Sequence, residues 1–372
     1  METNDEKTVP VSTEPQEPEG LDHESLDLGA FPIDSLMIRT ELRSVFEIVR
    51  RIDSGQYVMD PDFQRDFVWD IGRQSKLVES AILRIPLPVF YLAETRDGKI
   101  VVVDGLQRLT TFHRFLKGDF ALTGLAFAKQ LDGKRFTDLP TSMQNRLEDT
   151  PLTLYLIDAK VPEDAKYEIF ERVNSGIPLT RQQMRNCLLV GDATRWLGRM
   201  AKEEIFLQTT QGGLNWKTMR DRECINRFAG FYLYGYERYD GRMENFLNET
   251  LRRMNGTMKS DDYENLSFKF LNSMDANRQI FGRHAFRKTL ANPVNPWGRS
   301  VINVALFDVF STLLADIPTE TIQEKAKAIG STSAALIEQP VFDEAISRST
   351  NSTRNVRNRF TLAKEMLQKA LV

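Results

Sequence analysis

Cysteine and histidine are scarce in this chain of 372 residues, which holds only Cys187 and Cys224, and only His23, His113 and His284. Two cysteines cannot build a disulfide framework or a zinc site of the paired-cysteine kind. Three histidines, with no His-Glu-x-x-His helix and with His23 in an acidic N-terminal stretch, argue against a zinc centre or a His-Asn-His nuclease centre. Long apolar runs are missing too. The longest, Val301 to Ala315, is broken by Asn303, Asp308, Ser311 and Thr312, and is too short and too polar to span a bilayer. The first residues are acidic and polar, without a signal-peptide pattern. A Gly-x-x-x-x-Gly-Lys-Ser/Thr loop is also absent, since Gly256-Thr257-Met258-Lys259-Ser260 lacks its spacing and its preceding strand. A cytoplasmic protein with no membrane partner is the expectation.

What is present is an ordinary globular composition, 41% hydrophobic, with enough length for two domains. The net charge of -3 conceals an asymmetry: residues 1–30 carry nine acids against the single Lys7, a balance of -8 that leaves the remainder at +5. With Pro10, Pro15 and Pro18 and few apolar residues, residues 1–30 read as a disordered acidic tail. Residues 31–191 alternate strand and helix patterns, whereas residues 192–372 show helical spacing almost throughout. The fold class expected is therefore α+β, a mixed domain followed by an all-helical one.

Within the first domain, apolar residues from Leu36 to Ile52 fall at helical spacing and suggest a first core helix. The segment Met59 to Asp70 is dense in aromatic and charged residues, with Gln64 and Arg65 beside Phe63, Phe67 and Trp69. Asp70 can cap the helix that follows, and Pro86 and Pro88 stop it. Val89 to Leu92 and Ile100 to Val103 flank Arg96-Asp97-Gly98-Lys99, a strong hairpin signal. The second of these strands runs into Asp104-Gly105-Leu106-Gln107-Arg108 and then a helix, from about Gln107 to Lys117, ended by Gly118. A glycine at a strand-to-helix turn exposes unpaired amides of the first helical turn, which suit an anion beside Gln107 and Arg108. The same residues also suit a plain connection. Further on, Leu152 to Ile157 reads as a strand, Pro162 to Val173 as a helix ended by Asn174-Ser175-Gly176, and Thr180 with Gln183 as a capping box. In the second domain, helices are expected at 193–207, 220–236, 243–254, 262–274, 299–315, 319–329, 331–348 and 354–371.

The polar residues near turns, Gln64 and Arg65, then Asp104, Gln107 and Arg108, then Arg172 and Asn174, are compatible with phosphate and with phosphoryl transfer, although each segment taken alone suits a structural role and the spacing does not show that they meet. Arg can hold phosphate, Gln or Asn can orient water, Asp can hold magnesium, and no covalent nucleophile is needed. In order and character these segments resemble the GmrSD restriction endonuclease N-terminal domain family. The resemblance rests on Phe63-Gln64-Arg65 with Trp69, on Pro86-Leu87-Pro88, on Asp104-Gly105-Leu106-Gln107-Arg108 and on Phe170 to Gly176. Arg222 to Phe228 and Arg357-Asn358-Arg359-Phe360 extend it toward the C-terminus.

The resemblance implies a ParB/sulfiredoxin-like mixed domain that binds a nucleoside triphosphate with Mg2+. Catalytic roles pass to Asp104, Gln107 and Arg108, with Asp104 also as metal ligand, and nucleotide contacts to Gln64, Arg65, Gly105, Arg172 and Asn174. Hydrolysis would be coupled to DNA, modified or not, in restriction or antiphage defence. The partner implied is a separate His-Asn-His nuclease subunit, since this chain has no such centre of its own. Leu106 departs from the family's Asp-Gly-Gln-Gln-Arg, and if the missing Gln orients water, hydrolysis is weakened. Two other functions remain open: a non-enzymatic, nucleotide-gated DNA-binding module, gripping phosphates through Arg354, Arg357 and Arg359, and a direct ParB-like nuclease using Asp104 or Glu79 on a metal.

Overall fold

The structure is a computed structural model, and it describes residues 18–20, 38–59, 69–95, 98–162, 165–166, 169, 180–291 and 301–372. The chain divides into two compact units, residues 25–190 and residues 191–372 with 1–24. The architecture is α+β: a small mixed sheet in the first unit and helices in the second.

The first unit holds a five-stranded sheet of β1 (Ile38–Ser44), β2 (Tyr57–Val58), β3 (Phe90–Glu94), β4 (Ile100–Asp104) and β5 (Pro151–Ile157), in the order β1-β5-β3-β4-β2. The β1–β5 and β3–β4 pairs are antiparallel, and β3–β5 and β2–β4 parallel. Phe90, Leu92, Ile100, Val102, Leu152, Leu154 and Leu156 turn to one face. There they pack with α1 (Val45–Asp53), α2 (Ile71–Ile82), α3 (Leu106–Leu116) and α4 (Thr141–Glu148). Ala93, Val101, Val103 and Ile157 turn to the other, against Val161, Ala165, Met184 and Cys187, the last two on α5 (Arg181–Leu188). Because β4 is covered on both faces, it reads as an unbroken apolar run.

The start of this unit differs from expectation. Residues 38–44 form a strand, and the helix begins only at Val45. Ile38, Thr40 and Leu42 alternate with Arg39, Glu41 and Arg43, a period of two, and the Ser44 hydroxyl caps α1 by accepting the Glu47 N–H at 3.2 Å. Leu42 belongs to the strand. Asp70 caps α2 as the sequence suggests, accepting the Arg73 N–H at 2.7 Å, and Thr180 and Gln183 form the capping box of α5. Of the helix expected from Pro162 to Val173, only residues 162, 165–166 and 169 are described.

Glu79, a candidate metal ligand of the nuclease alternative, is 4% exposed and accepts backbone N–H groups from Ala126 (3.2 Å), Phe127 (2.7 Å) and Ala128 (2.8 Å). Its carboxylate therefore holds the 126–128 loop. Burial alone would raise its pKa, but the three amides outweigh burial and hold it below the usual glutamate range.

The second unit comprises α6 (Asp192–Met200), α7 (Glu204–Thr210), α8 (Arg220–Tyr234), α9 (Met243–Thr257), α10 (Ser260–Phe281), α11 (Val304–Leu313), α12 (Thr319–Ile337), α13 (Pro340–Ser347) and α14 (Thr353–Leu371). The helix expected over 193–207 is two, parted at residues 201–203, and the break expected at Gly330 is absent. A glycine inside a helix costs only about 1 kcal/mol, whereas Pro340 at a first helical position starts α13. Every residue of α11 from Val304 to Ser311 is buried, which makes it the central helix of the unit.

Inside that core lies Asp308, fully buried between two arginines. Arg227 binds it through Nε at 2.7 Å and Nη2 at 2.6 Å, and Arg359 through Nη2 at 2.7 Å. Arg227 also reaches Asn351 Oδ1 at 3.2 Å, and Arg359 donates to the Thr350 carbonyl, so α8, α11, α14 and the 350–351 turn meet at one carboxylate. Burial alone would lower the Arg227 pKa, but Asp308 outweighs it and the value is raised. For Arg359, burial prevails and brings the value down to about 10, with repulsion from Arg227 adding to it, so both guanidinium groups are charged at neutral pH. Residues 18–20 also dock here. Glu19 exchanges backbone hydrogen bonds with Ile302 (2.8 Å) and Val304 (2.9 Å), and its carboxylate accepts from Lys288 Nζ at 2.9 Å, so this part of the acidic stretch is ordered.

Asp308→Ala leaves two buried cations unpaired and should cost about 3–5 kcal/mol in denaturant unfolding, against at most about 0.5 kcal/mol for Arg354→Ala on the exposed face of α14. Glu79→Gln should lower the unfolding midpoint at neutral pH. Because the folded pKa is depressed, the carboxylate's contribution is present above the ordinary value of 4.5 and disappears as pH falls through the folded value. Wild type and variant should converge in acid, and a gap that persists there would exclude the charged form as its cause.

Candidate functional site

The turn between β4 and α3 is built from a close approach. Gly105 has φ +102°, and a Cβ on it would stand 2.3 Å from Cδ1 of Phe90. Only glycine fits there, for both backbone angle and space. The ring that occupies this space is buried on β3, directly across the sheet from the strand that delivers the glycine.

Arg108 stacks on the same ring, its guanidinium carbon 4.3 Å from the centroid. It donates to the Pro88 carbonyl at 2.5 Å, the Val89 carbonyl at 3.2 Å and Asp104 Oδ2 at 2.7 Å. Its side chain is 11% exposed, against 37% for Asp104. Burial lowers the Arg108 pKa, only partly offset by Asp104. Arg108 therefore faces inward as a clamp joining the start of β3, the end of β4 and the first turn of α3. The Asp104 Oδ1 oxygen makes no hydrogen bond among the described residues.

Leu106 is 8% exposed and belongs to the apolar cluster with Leu109 and Phe112. The departure from the family signature thus falls on a core position. Gln107 turns elsewhere: its Oε1 accepts the Trp69 N–H at 3.4 Å, while Gln74 Nε2 donates to the Trp69 carbonyl at 2.9 Å, and Arg114 donates to Gln74 Oε1 at 3.1 Å. Trp69 closes the segment that carries Gln64 and Arg65, so the two stretches meet at Gln107. Gln64 and Arg65 themselves, with Arg172 and Asn174, lie outside the described residues.

At the N-terminus of α3, the cap residue is Gly105, which has no side chain to accept a first-turn amide. Such an end is suited to an anion through backbone N–H groups and the helix dipole. No group of three or more metal-ligating side chains occurs among the described residues. A magnesium ion held by phosphate oxygens and one carboxylate needs no such group, and Asp104, its side chain 37% exposed and one oxygen uncommitted among the described residues, fits that role. A hollow of about 230 Å³ lies elsewhere, at the C-terminal end of α3, lined in part by Phe46, Asp53, Leu116 and Lys117. His113 is near it, bound to Asp53 Oδ1 at 3.0 Å, an ion-pair position away from the turn.

The three C-terminal arginines do not share a role. Arg354 and Arg357 are exposed on α14, whereas Arg359 is buried against Asp308, so it cannot meet a nucleic acid backbone in this structure. Sequence inspection missed Phe90 and the Pro88 and Val89 carbonyls, the partners that set Arg108. The i, i+4 spacing of Asp104 and Arg108 is a signal that could have shown their pairing, whereas from the sequence alone Arg108 takes a catalytic role and Asp104 a metal.

An α+β domain organised around a strand–glycine–helix turn is the class that this fold and site define. Residues 45–190 match the family model described as GmrSD restriction endonuclease, N-terminal domain, and that region is a domain of this family. The match indicates a component of a restriction system. No curated protein and no solved structure matches the chain. Among the described residues no helix is long and apolar enough to cross a membrane.

Gly105→Ala should destabilise more than Gly118→Ala. Both glycines have positive φ, but a Cβ at Gly118 meets nothing within 4 Å. Left-handed strain of about 1–3 kcal/mol is common to the two, and the Phe90 contact belongs to Gly105 alone. Equal unfolding free energies would remove the steric account of the turn.

Proposed function

We propose that this chain is the nucleoside-triphosphate-binding and hydrolysing component of a DNA-targeting restriction system, and that a separate nuclease cuts the DNA. The observation that carries this reading is the uncapped start of α3 at Gly105, inside the family's signature and next to the half-exposed Asp104. The phosphates sit against the first-turn amides. Arg108 acts as a positioning residue: it fixes the turn from behind rather than reaching into solvent. Asp104 offers its second oxygen to a magnesium ion, which supplies charge neutralisation at the phosphates when bound. Gln107, on the same turn and in contact with Trp69, orients water or nucleotide. The histidine supply and the commitment of Glu79 to the 126–128 loop favour a nuclease centre on another protein over one in this chain.

The test is phosphate release from each of the four nucleoside triphosphates with Mg2+, with and without DNA, for wild type, Gln107→Ala and Asp104→Asn. Each variant should lose roughly tenfold or more in turnover, equivalent to about 1.4 kcal/mol, while its melting transition stays intact. Saturable nucleotide binding without release in the wild type would favour a nucleotide-gated module instead. Plasmid cleavage by the chain alone, without nucleotide and stopped by Asp104→Asn, would replace the proposal with a direct nuclease.

A further inference from the structure

The sheet has two dissimilar edges. One is β2, only two residues long, too short to template another strand. The other is β1, seven residues long, paired on its inner side with β5 from Ile38 opposite Ile157 to Ser44 opposite Pro151, with no bulge. Among the described residues its outer side has no ladder partner. Proteins usually blunt such an edge with charged side chains, proline, a bulge or a covering element; β1 has charges of both signs, Arg39, Glu41 and Arg43, but no proline or bulge. It carries instead two of the more exposed apolar side chains of this unit, Leu42 at 71% and Ile38 at 44%. Both point to the same face of the sheet, with Thr40 between them.

The order of residues along this edge is self-complementary. Ile38-Arg39-Thr40-Glu41-Leu42 reads apolar, basic, Thr, acidic, apolar, and is matched by its own reversal when acid is set against base. We propose that a second copy of this chain pairs with it antiparallel along β1, about a two-fold axis at Thr40, so that the two sheets run on as one of ten strands. In this register Thr40 faces Thr40 of the second copy, Ile38 faces Leu42, and Arg39 faces Glu41, each unlike pair occurring twice. Cross-strand pairs of these kinds are favourable, whereas like charges directly opposite are not.

Charge selects this register from its neighbours. An axis at Glu41 sets Glu41 against itself and Arg39 against Arg43, and an axis at Arg39 sets Arg39 against itself. A slip of one residue is excluded because it would put the apolar set on the wrong face. Arg39 and Glu41 lie at the edge with side chains 45% and 27% exposed; within the chain they pair with each other at 3.4 Å and Glu41 also accepts from Arg43 Nε at 2.9 Å, so pairing of two copies exchanges these surface contacts for contacts across the edge. Arg39 is steadied by Glu94 at 3.2 Å and Asp158 at 3.4 Å, carboxylates of its own chain that hold the guanidinium at the strand.

The experiment is sedimentation of the full chain across about 1–100 µM, the range in which modest interfaces assemble. Wild type should approach the mass of two chains. Arg39→Glu and Glu41→Arg should each weaken self-association by about tenfold or more. An equimolar mixture of the two variants should restore it, since one variant then carries acids at both positions and the other bases at both, and every facing pair across the mixed edge is of opposite charge. Rescue on mixing separates a lost contact from a misfolded variant, and circular dichroism checks each alone. Independently, Thr40→Cys should oxidise to a linked dimer while Leu42→Cys does not, because only position 40 meets itself. A monomer throughout, an association that neither charge reversal weakens, or linkage at position 42 as readily as at 40 would each overturn the proposal.

Discussion

The contact between the Phe90 ring and the backbone of Gly105 is the constraint on which the first unit turns. A ring on β3 can lie this close to the end of β4 only because no Cβ intervenes. With the ring in place, the Arg108 guanidinium has a face to stack on and three acceptors at its rim, and the first turn of α3 is drawn against the sheet. One residue without a side chain thus sets the direction in which the helix leaves and where its first-turn amides point. The functional turn and the packing of the core have the same origin.

Several residues that looked functional in the sequence have architectural partners. Arg359 lies among basic residues yet is buried on Asp308; Glu79 is acidic and near the motif helix, yet it collects three backbone amides; Arg108 bridges two carbonyls and a carboxylate. Buried charge is tolerated only where its partners surround it, so each of these groups fixes several segments at once. The consequence for chemistry is economy. At the turn, among the described residues, the second oxygen of Asp104 makes no hydrogen bond, and Gln107 is partly exposed beside Trp69.

Much of this was legible in the chain itself. The antiparallel pairing of β3 with β4, the Asp70 and Thr180 caps, the strand at 151–157 and the helical second half follow from local rules that tertiary contacts did not override, while Arg96 and Asp97 of the expected Asp-Gly turn lie outside the described residues. Residues 38–44 were misread because Leu42, Val45 and Phe46 fit a helical spacing as well as a strand running into a helix, and only the Ser44 cap decides between them. Of the site, the glycine turn and the Asp104–Arg108 spacing could be seen in advance. The inward orientation of Arg108 could not, since its partners, the Pro88 and Val89 carbonyls, are backbone groups about twenty residues away and leave no mark on side-chain pattern. Leu106 shows the same limit: sequence marks it as a missing polar group, and only packing reveals it as a core position.

The short docking of Glu19 onto the helical unit has a consequence for how the protein is made. Glu19 emerges from the ribosome early, but its partners Lys288, Ile302 and Val304 come more than 260 residues later, and Thr350, which binds the Gly20 carbonyl, later still. The helical unit is therefore discontinuous in the chain, and the whole sheet unit is synthesised inside the gap. During translation the sheet can close while residues 18–20 wait. The helical unit thus closes only once residues 302–350 have been made, and a chain truncated before residue 302 lacks the backbone partners of residues 18–20.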